Sequence, residues 1–153
     1  MQYTTMAAIV AFTAFSHEAA AAEAGDVSKL PCWAAVDAVS RSLPELTLVD
    51  KSFEWRRLPV VFKCNGEGDI DTITIEWREG RPGLIHDARS AIASLGSRLT
   101  GDSANSIRIA LERCISSAER SPTPVEVATG RITVSCSVTP AASDYSVRRR
   151  SDR

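Results

Sequence analysis

Asp71-Thr72-Ile73-Thr74-Ile75-Glu76-Trp77-Arg78 alternates without a break. Ile73, Ile75 and Trp77 fall on one side, and Thr72, Thr74, Glu76 and Arg78 on the other. A period of two is the side-chain repeat of an extended strand, and the β-branched run from Thr72 to Ile75 suits its pleat. One apolar and one polar side describe a strand with its back to a core and its front to water, as antiparallel sheets allow. Upstream, Val60, Phe62 and Cys64 alternate with Val61 and Lys63. Between the two runs, Asn65-Gly66-Glu67-Gly68-Asp69 is dense in turn formers. The pair reads as a hairpin.

The flanks extend this reading. Thr47 to Arg57 carries Leu48, Phe53 and Trp55 and is interrupted by Pro59, so it forms an edge strand or two short ones. Ser28 to Leu43 places Cys32, Val36, Val39 and Leu43 at helical spacing, with Pro31 at its start and Pro44 at its end. After the turn Glu79-Gly80-Arg81-Pro82-Gly83, the residues Ile85, Ala88, Ile92, Leu95 and Leu99 mark a second helical face. Gly101 breaks it, and Asp102 or Ser103 caps a third helix carrying Ile107, Ala110, Leu111, Cys114 and Ala118. Ser121-Pro122-Thr123-Pro124 ends that helix. Val125 to Thr139 is strand again, with Ile132, Val134, Cys136 and Val138 on one side and a division at Thr129-Gly130. The order α-β-β-β-α-α-β predicts an α+β domain over residues 25–140, an antiparallel sheet of three to five strands with helices on one face. Residues 141–153 hold few apolar side chains and are expected to form a disordered, Arg-rich tail.

Residues 6–15, MAAIVAFTAF, form a short uncharged apolar run, followed by the alanine-rich stretch 19–24. This is the pattern of a secretory signal, with cleavage expected after Ala22 or Ala24, although no Lys or Arg precedes the run. The run is too short for a membrane span, which needs about 20 apolar residues. Frequent alanine, and arginine in preference to lysine, suit a GC-rich bacterial genome, and with the leader they point to the periplasm or the medium. Cys32, Cys64, Cys114 and Cys136 all follow the leader, and an even count in a small exported chain predicts disulfides. Three pairings are open. Cys32–Cys64 and Cys114–Cys136 are favoured because each ties a helix to the strand that follows it. Close cysteine pairs of zinc-binding spacing are absent, as is C-x-x-C.

The remaining patterns bear on function. With 18 basic and 19 acidic residues the chain lacks the basic excess of a nucleic-acid binder. No phosphate-cradling glycine loop occurs and no cofactor is implied. Gly101-Asp102-Ser103, with His86 and Asp87, supplies the residue types of a serine hydrolase, but Ser103 follows a helix and lacks a following glycine. An N-cap is the simpler reading. Asn65, Glu67, Asp69, Asp71 and Glu76 have calcium-loop spacing, yet Ile70 stands where that loop needs glycine, and no metal is expected. Arg148, Arg149, Arg150 and Arg153 are a candidate contact for an anionic partner. The expectation is a small exported, non-catalytic binding or accessory protein of the envelope or exterior, acting through the exposed face of its sheet. The alternatives are a hydrolase using Ser103 and His86, or a binder of anionic surfaces through the arginines. Oligomeric state is not legible in the sequence.

Overall fold

A computed structural model describes residues 27–78, 83–140 and 142–150. The expected leader lies outside the described residues. A 3-10 turn at Val27–Lys29 leads into α1 (Trp33–Arg41). Four strands follow: β1 (Leu46–Val49), β2 (Ser52–Trp55), β3 (Leu58–Cys64) and β4 (Ile70–Arg78). Two helices, α2 (Gly83–Thr100) and α3 (Ala104–Ala118), precede β5 (Val125–Thr129), β6 (Ile132–Val138) and β7 (Ala142–Arg149). No helix among the described residues is long and apolar enough to cross a membrane.

The strands form one antiparallel sheet of seven, in the order β1-β2-β3-β4-β7-β6-β5. The class is α+β, as expected, but the strand count exceeds three to five. The largest difference is the segment read as a disordered tail. Residues 142–149 are β7, a central strand paired on both sides, from Thr72↔Arg148 to Arg78↔Ala142 with β4 and from Ile132↔Arg149 to Val138↔Ser143 with β6. Low apolar content misled because a central strand draws its hydrogen bonds from two neighbours. Here Tyr145 and Val147 are enough to anchor its covered side. Residues 151–153, with Arg153, lie outside the described residues.

The other added strands come from tight turns. Asp50 and Lys51 both have positive φ (44° and 70°), as do Arg56 and Arg57 (48° and 74°). Positive φ at both central residues is the type I′ geometry of two-residue hairpins, usually supplied by Asn-Gly. Neither pair carries that signature. Pro59 lies inside β3, at the point where pairing with β4 stops at Val60↔Ile75, so its missing N–H removes no ladder bond there.

All three helices lie on one face of the sheet. α2 runs under β4 and β7 and reaches β2 and β3, while α3 runs under β5 and β6. Phe53, Val60, Phe62, Ile73, Ile75, Ile132, Val134, Tyr145 and Val147 point into this core. Trp33 of α1 stacks on Phe53, and Phe53 meets Phe62 edge to face. Gly96 sets the depth of the helix layer: a Cβ there would stand 3.2 Å from Ile107 Cδ1 and 3.4 Å from Val147 Cγ1. Both favoured disulfides form. Cys32–Cys64 ties the start of α1 to β3, and Cys114–Cys136 ties α3 to β6.

Candidate functional site

The face of the sheet opposite the helices is uncovered among the described residues, and its register sorts it by charge. With the β3–β4 register continued one residue past Val60↔Ile75, one row across the strands holds Glu54 of β2, Pro59 of β3, Glu76 of β4, Asp144 of β7 and Ser137 of β6. The next row, two residues along, holds Val61, Thr74, Ser146, Ser135 and Glu126. The third holds Lys63, Thr72, Arg148, Thr133 and Ala128. Rows two residues apart are separated by about 7 Å. An acidic row and a basic row therefore flank a band of hydroxyls, with Arg78 and Ala142 in the next row beyond the acidic one.

The hydroxyl band is half-buried because short side chains sit low between their neighbours, whereas Glu76, Lys63, Asp144 and Arg148 stand exposed. Glu76 and Asp144 are direct cross-strand partners, an arrangement that like charges disfavour. Among the described residues neither forms an ion pair, and neither does Glu54 or Lys63. Partial burial pushes the Asp144 carboxyl above its ordinary value. Arg148 reaches Glu126 at 3.6 Å, with both side chains more than half exposed. Such a contact holds weakly, at about 0–1 kcal/mol.

The other sequence candidates separate. Ser103 is the N-cap of α3 and its Oγ accepts from the Ser106 N–H. His86 lies in the first turn of α2, exposed, about 21 Å along the helix axis from Thr100. A nucleophile and its base need hydrogen-bond reach, and these two residues are not brought together. Asp102 accepts the Arg131 N–H at 2.8 Å, joining the α2–α3 turn to the β5–β6 turn. Gly130 makes room for it, since a Cβ there would stand 2.6 Å from Asp102 Oδ2, and its φ is +50°. The acidic loop folds on itself as well: Asn65 Oδ1 accepts from the Glu67 and Asp69 N–H groups at 2.9 Å each. Among the described residues no three His, Cys, Asp or Glu side chains gather as a metal site.

The candidate arginines divide. Arg149 donates to the Leu99 carbonyl at 2.9 Å, at the C-terminal end of α2 where a cation suits the helix dipole, and stands 3.9 Å from Asp69. The Arg150 N–H donates to Arg131 O at 2.8 Å and its guanidinium to Gly130 O at 3.3 Å. Of these three, Arg148 alone faces outward on the open sheet.

Sequence reasoning missed the polar seam beneath the sheet. Tyr145 is buried, its phenol pushed up by burial and pulled back by the Arg89 guanidinium hydrogen-bonded to it, with the Glu119 charge adding to the rise. Arg89 Nε is buried with no hydrogen-bond partner among the described residues. Tyr145 could not be found from sequence without first recognising β7. Taken together, the open face offers donors, acceptors and both signs of charge, the chemistry of recognition. The chain matches no protein-family model, no curated protein and no solved structure.

Proposed function

We propose that this protein is an exported, disulfide-stabilised binding or accessory protein of the periplasm or exterior, non-catalytic, whose contact surface is the open face of its sheet. The observation that carries the reading is that face: all seven strands contribute polar side chains to it, and no helix among the described residues covers it. Two disulfides suit an oxidising compartment, since thiols stay reduced in the cytosol. The partner is another protein, because the face carries charges of both signs with no basic excess, and its described residues form no aromatic platform for nucleotide bases.

A photo-crosslinking amino acid at Ser146, in the middle of the face, tests this in an exporting host. The same probe at His86, on the helix side, is the control. Discrete protein adducts from position 146 and not from 86 are expected. Adducts from neither position, or equally from both, refute the assignment of the face.

A further inference from the structure

The charge pattern of the open face has a symmetry that selects its partner. Numbering across the sheet, Glu54 lies on β2, Lys63 on β3, Glu76 on β4, and Asp144 and Arg148 both on β7. Acidic and basic rows lie on either side of the hydroxyl row, two residues from it in each direction. We propose that this face is a homodimer interface, onto which a second copy of the chain docks about a twofold axis running across the strands along the Thr74–Ser146–Ser135 row. The proposal rests on the reading of the open face as the contact surface and names its occupant.

That axis keeps each strand's place across the sheet and reverses its direction. The acidic row of one copy then faces the basic row of the other. Arg148 meets the partner's Asp144, since both belong to β7. Lys63 of β3 falls between the partner's Glu54 on β2 and the partner's Glu76 on β4. Glu54, Glu76 and Asp144, which form no ion pair among the described residues, thereby each face a cation, and Lys63 faces two acids. Along the axis each hydroxyl meets its own copy, and a hydroxyl can both donate and accept, so identical groups satisfy one another. A patch that is complementary to itself is the requirement of a twofold interface. The other face-to-face twofold, along the strands, stacks acid on acid and base on base. Glu126 would meet its own copy, but it sits on the edge strand, where solvent screens it and Arg148 stands beside it.

Shape and size agree. Small side chains fill the middle row and long charged ones the rows on either side, so two copies approach closely in the centre while the charged rows interdigitate. Packed sheets lie about 10 Å apart with strands roughly aligned. Six strands at about 4.8 Å spacing, over about six residues, give a projected area of roughly 600 Å² per copy. The pair then buries roughly 1,200 Å², at the lower bound of stable specific interfaces.

Sedimentation equilibrium on the protein purified from an exporting host tests this. The expected result is a reversible monomer–dimer equilibrium in the micromolar range. Asp144→Arg and Arg148→Asp, both at exposed positions, should each weaken association about a hundredfold or more, because each places like charges together twice. An equimolar mixture of the two variants should regain it, since both contacts of the mixed dimer are attractive again. A misfolded variant could not be rescued by mixing. A wild-type protein that stays monomeric, reversals without effect, or a mixture that stays monomeric would each overturn the dimer. The probe at Ser146 separates the two readings. An adduct of twice the chain mass supports the dimer. Adducts with a different protein alone overturn the dimer and leave the contact face standing. Absence of any adduct takes both down.

Discussion

Gly96 offers the sharpest test of how the helix layer is seated. In the interior of α2 a glycine costs about 1 kcal/mol relative to alanine, so Gly96→Ala should stabilise the helix by about that amount. The new methyl, however, arrives 3.2 Å from Ile107 Cδ1, inside the 3.5–4.0 Å at which carbon atoms rest. Moving Ile107 aside in a close-packed seam costs about 1–3 kcal/mol, so the single variant should lie at or below wild type. Ile107→Val deletes the obstructing Cδ1 and should cost about 1 kcal/mol alone, through lost burial and the small cavity left. Combined, the two changes answer each other: the methyl at 96 fills the space that Cδ1 leaves. The double variant should be more stable than the sum of the singles by about 1 kcal/mol. Urea unfolding of the four proteins, with equal slopes, measures this coupling. Additivity within about 0.3–0.5 kcal/mol would refute the close approach of α2 and α3 at this point.

Four further outcomes follow from the same geometry. Arg57→Gly should stabilise the protein by about 0.5–1 kcal/mol, since a left-handed arginine costs more than the added freedom of an unfolded glycine; a lower melting temperature would contradict the turn. Asp102→Ala should cost about 1–2 kcal/mol by leaving the Arg131 N–H without its charged acceptor, and an unchanged urea midpoint would refute the bridge. Asp144 has a folded carboxyl value above its unfolded one, so its contribution is full below the unfolded value near 4 and is lost as pH rises through the folded value. Asp144→Asn should therefore raise stability at pH 7 more than at pH 3, measured at protein concentrations below association, and an equal difference at both would refute it. Removing either disulfide should cost about 3–4 kcal/mol in the loop-entropy account, and intact mass without reduction should show no alkylatable thiol and a chain lacking residues 1–22 or 1–24.

The amphipathic elements were the legible part. Ile73 and Ile75 set a strand, and Ile92, Leu95, Ile107 and Leu111 set two helices, because each writes its period in apolar side chains. The sequence left three cysteine pairings open, and the one favoured because each bridge ties a helix to the strand that follows it is the one that forms. β7 was not, because Ser143, Asp144, Ser146, Arg148 and Arg149 outnumber Tyr145 and Val147, and its order comes from two flanking strands distant in sequence. The Asp50-Lys51 and Arg56-Arg57 turns were hidden for a related reason: pairing on either side enforces a backbone their residues disfavour. The open face was anticipated as a surface, but its charge sorting was not. That sorting depends on register, and register places Asp144 beside Glu76 only once β7 lies in the sheet.

The staples and the face answer different needs of one architecture. Cys32–Cys64 closes the first meander, β1 to β4, and Cys114–Cys136 closes the second, β5 to β7. Neither crosses the boundary between β4 and β7. That boundary is held by a seven-residue ladder and by α2, which crosses beneath both strands and lies against Val147 at Gly96. All three rows of the open face cross it as well, as Glu76–Asp144, Thr74–Ser146 and Thr72–Arg148. Each half can be covalently closed and yet present no complete row. The proposed contact surface therefore exists only when the two meanders are joined, and loosening the seam under α2 should weaken the proposed association.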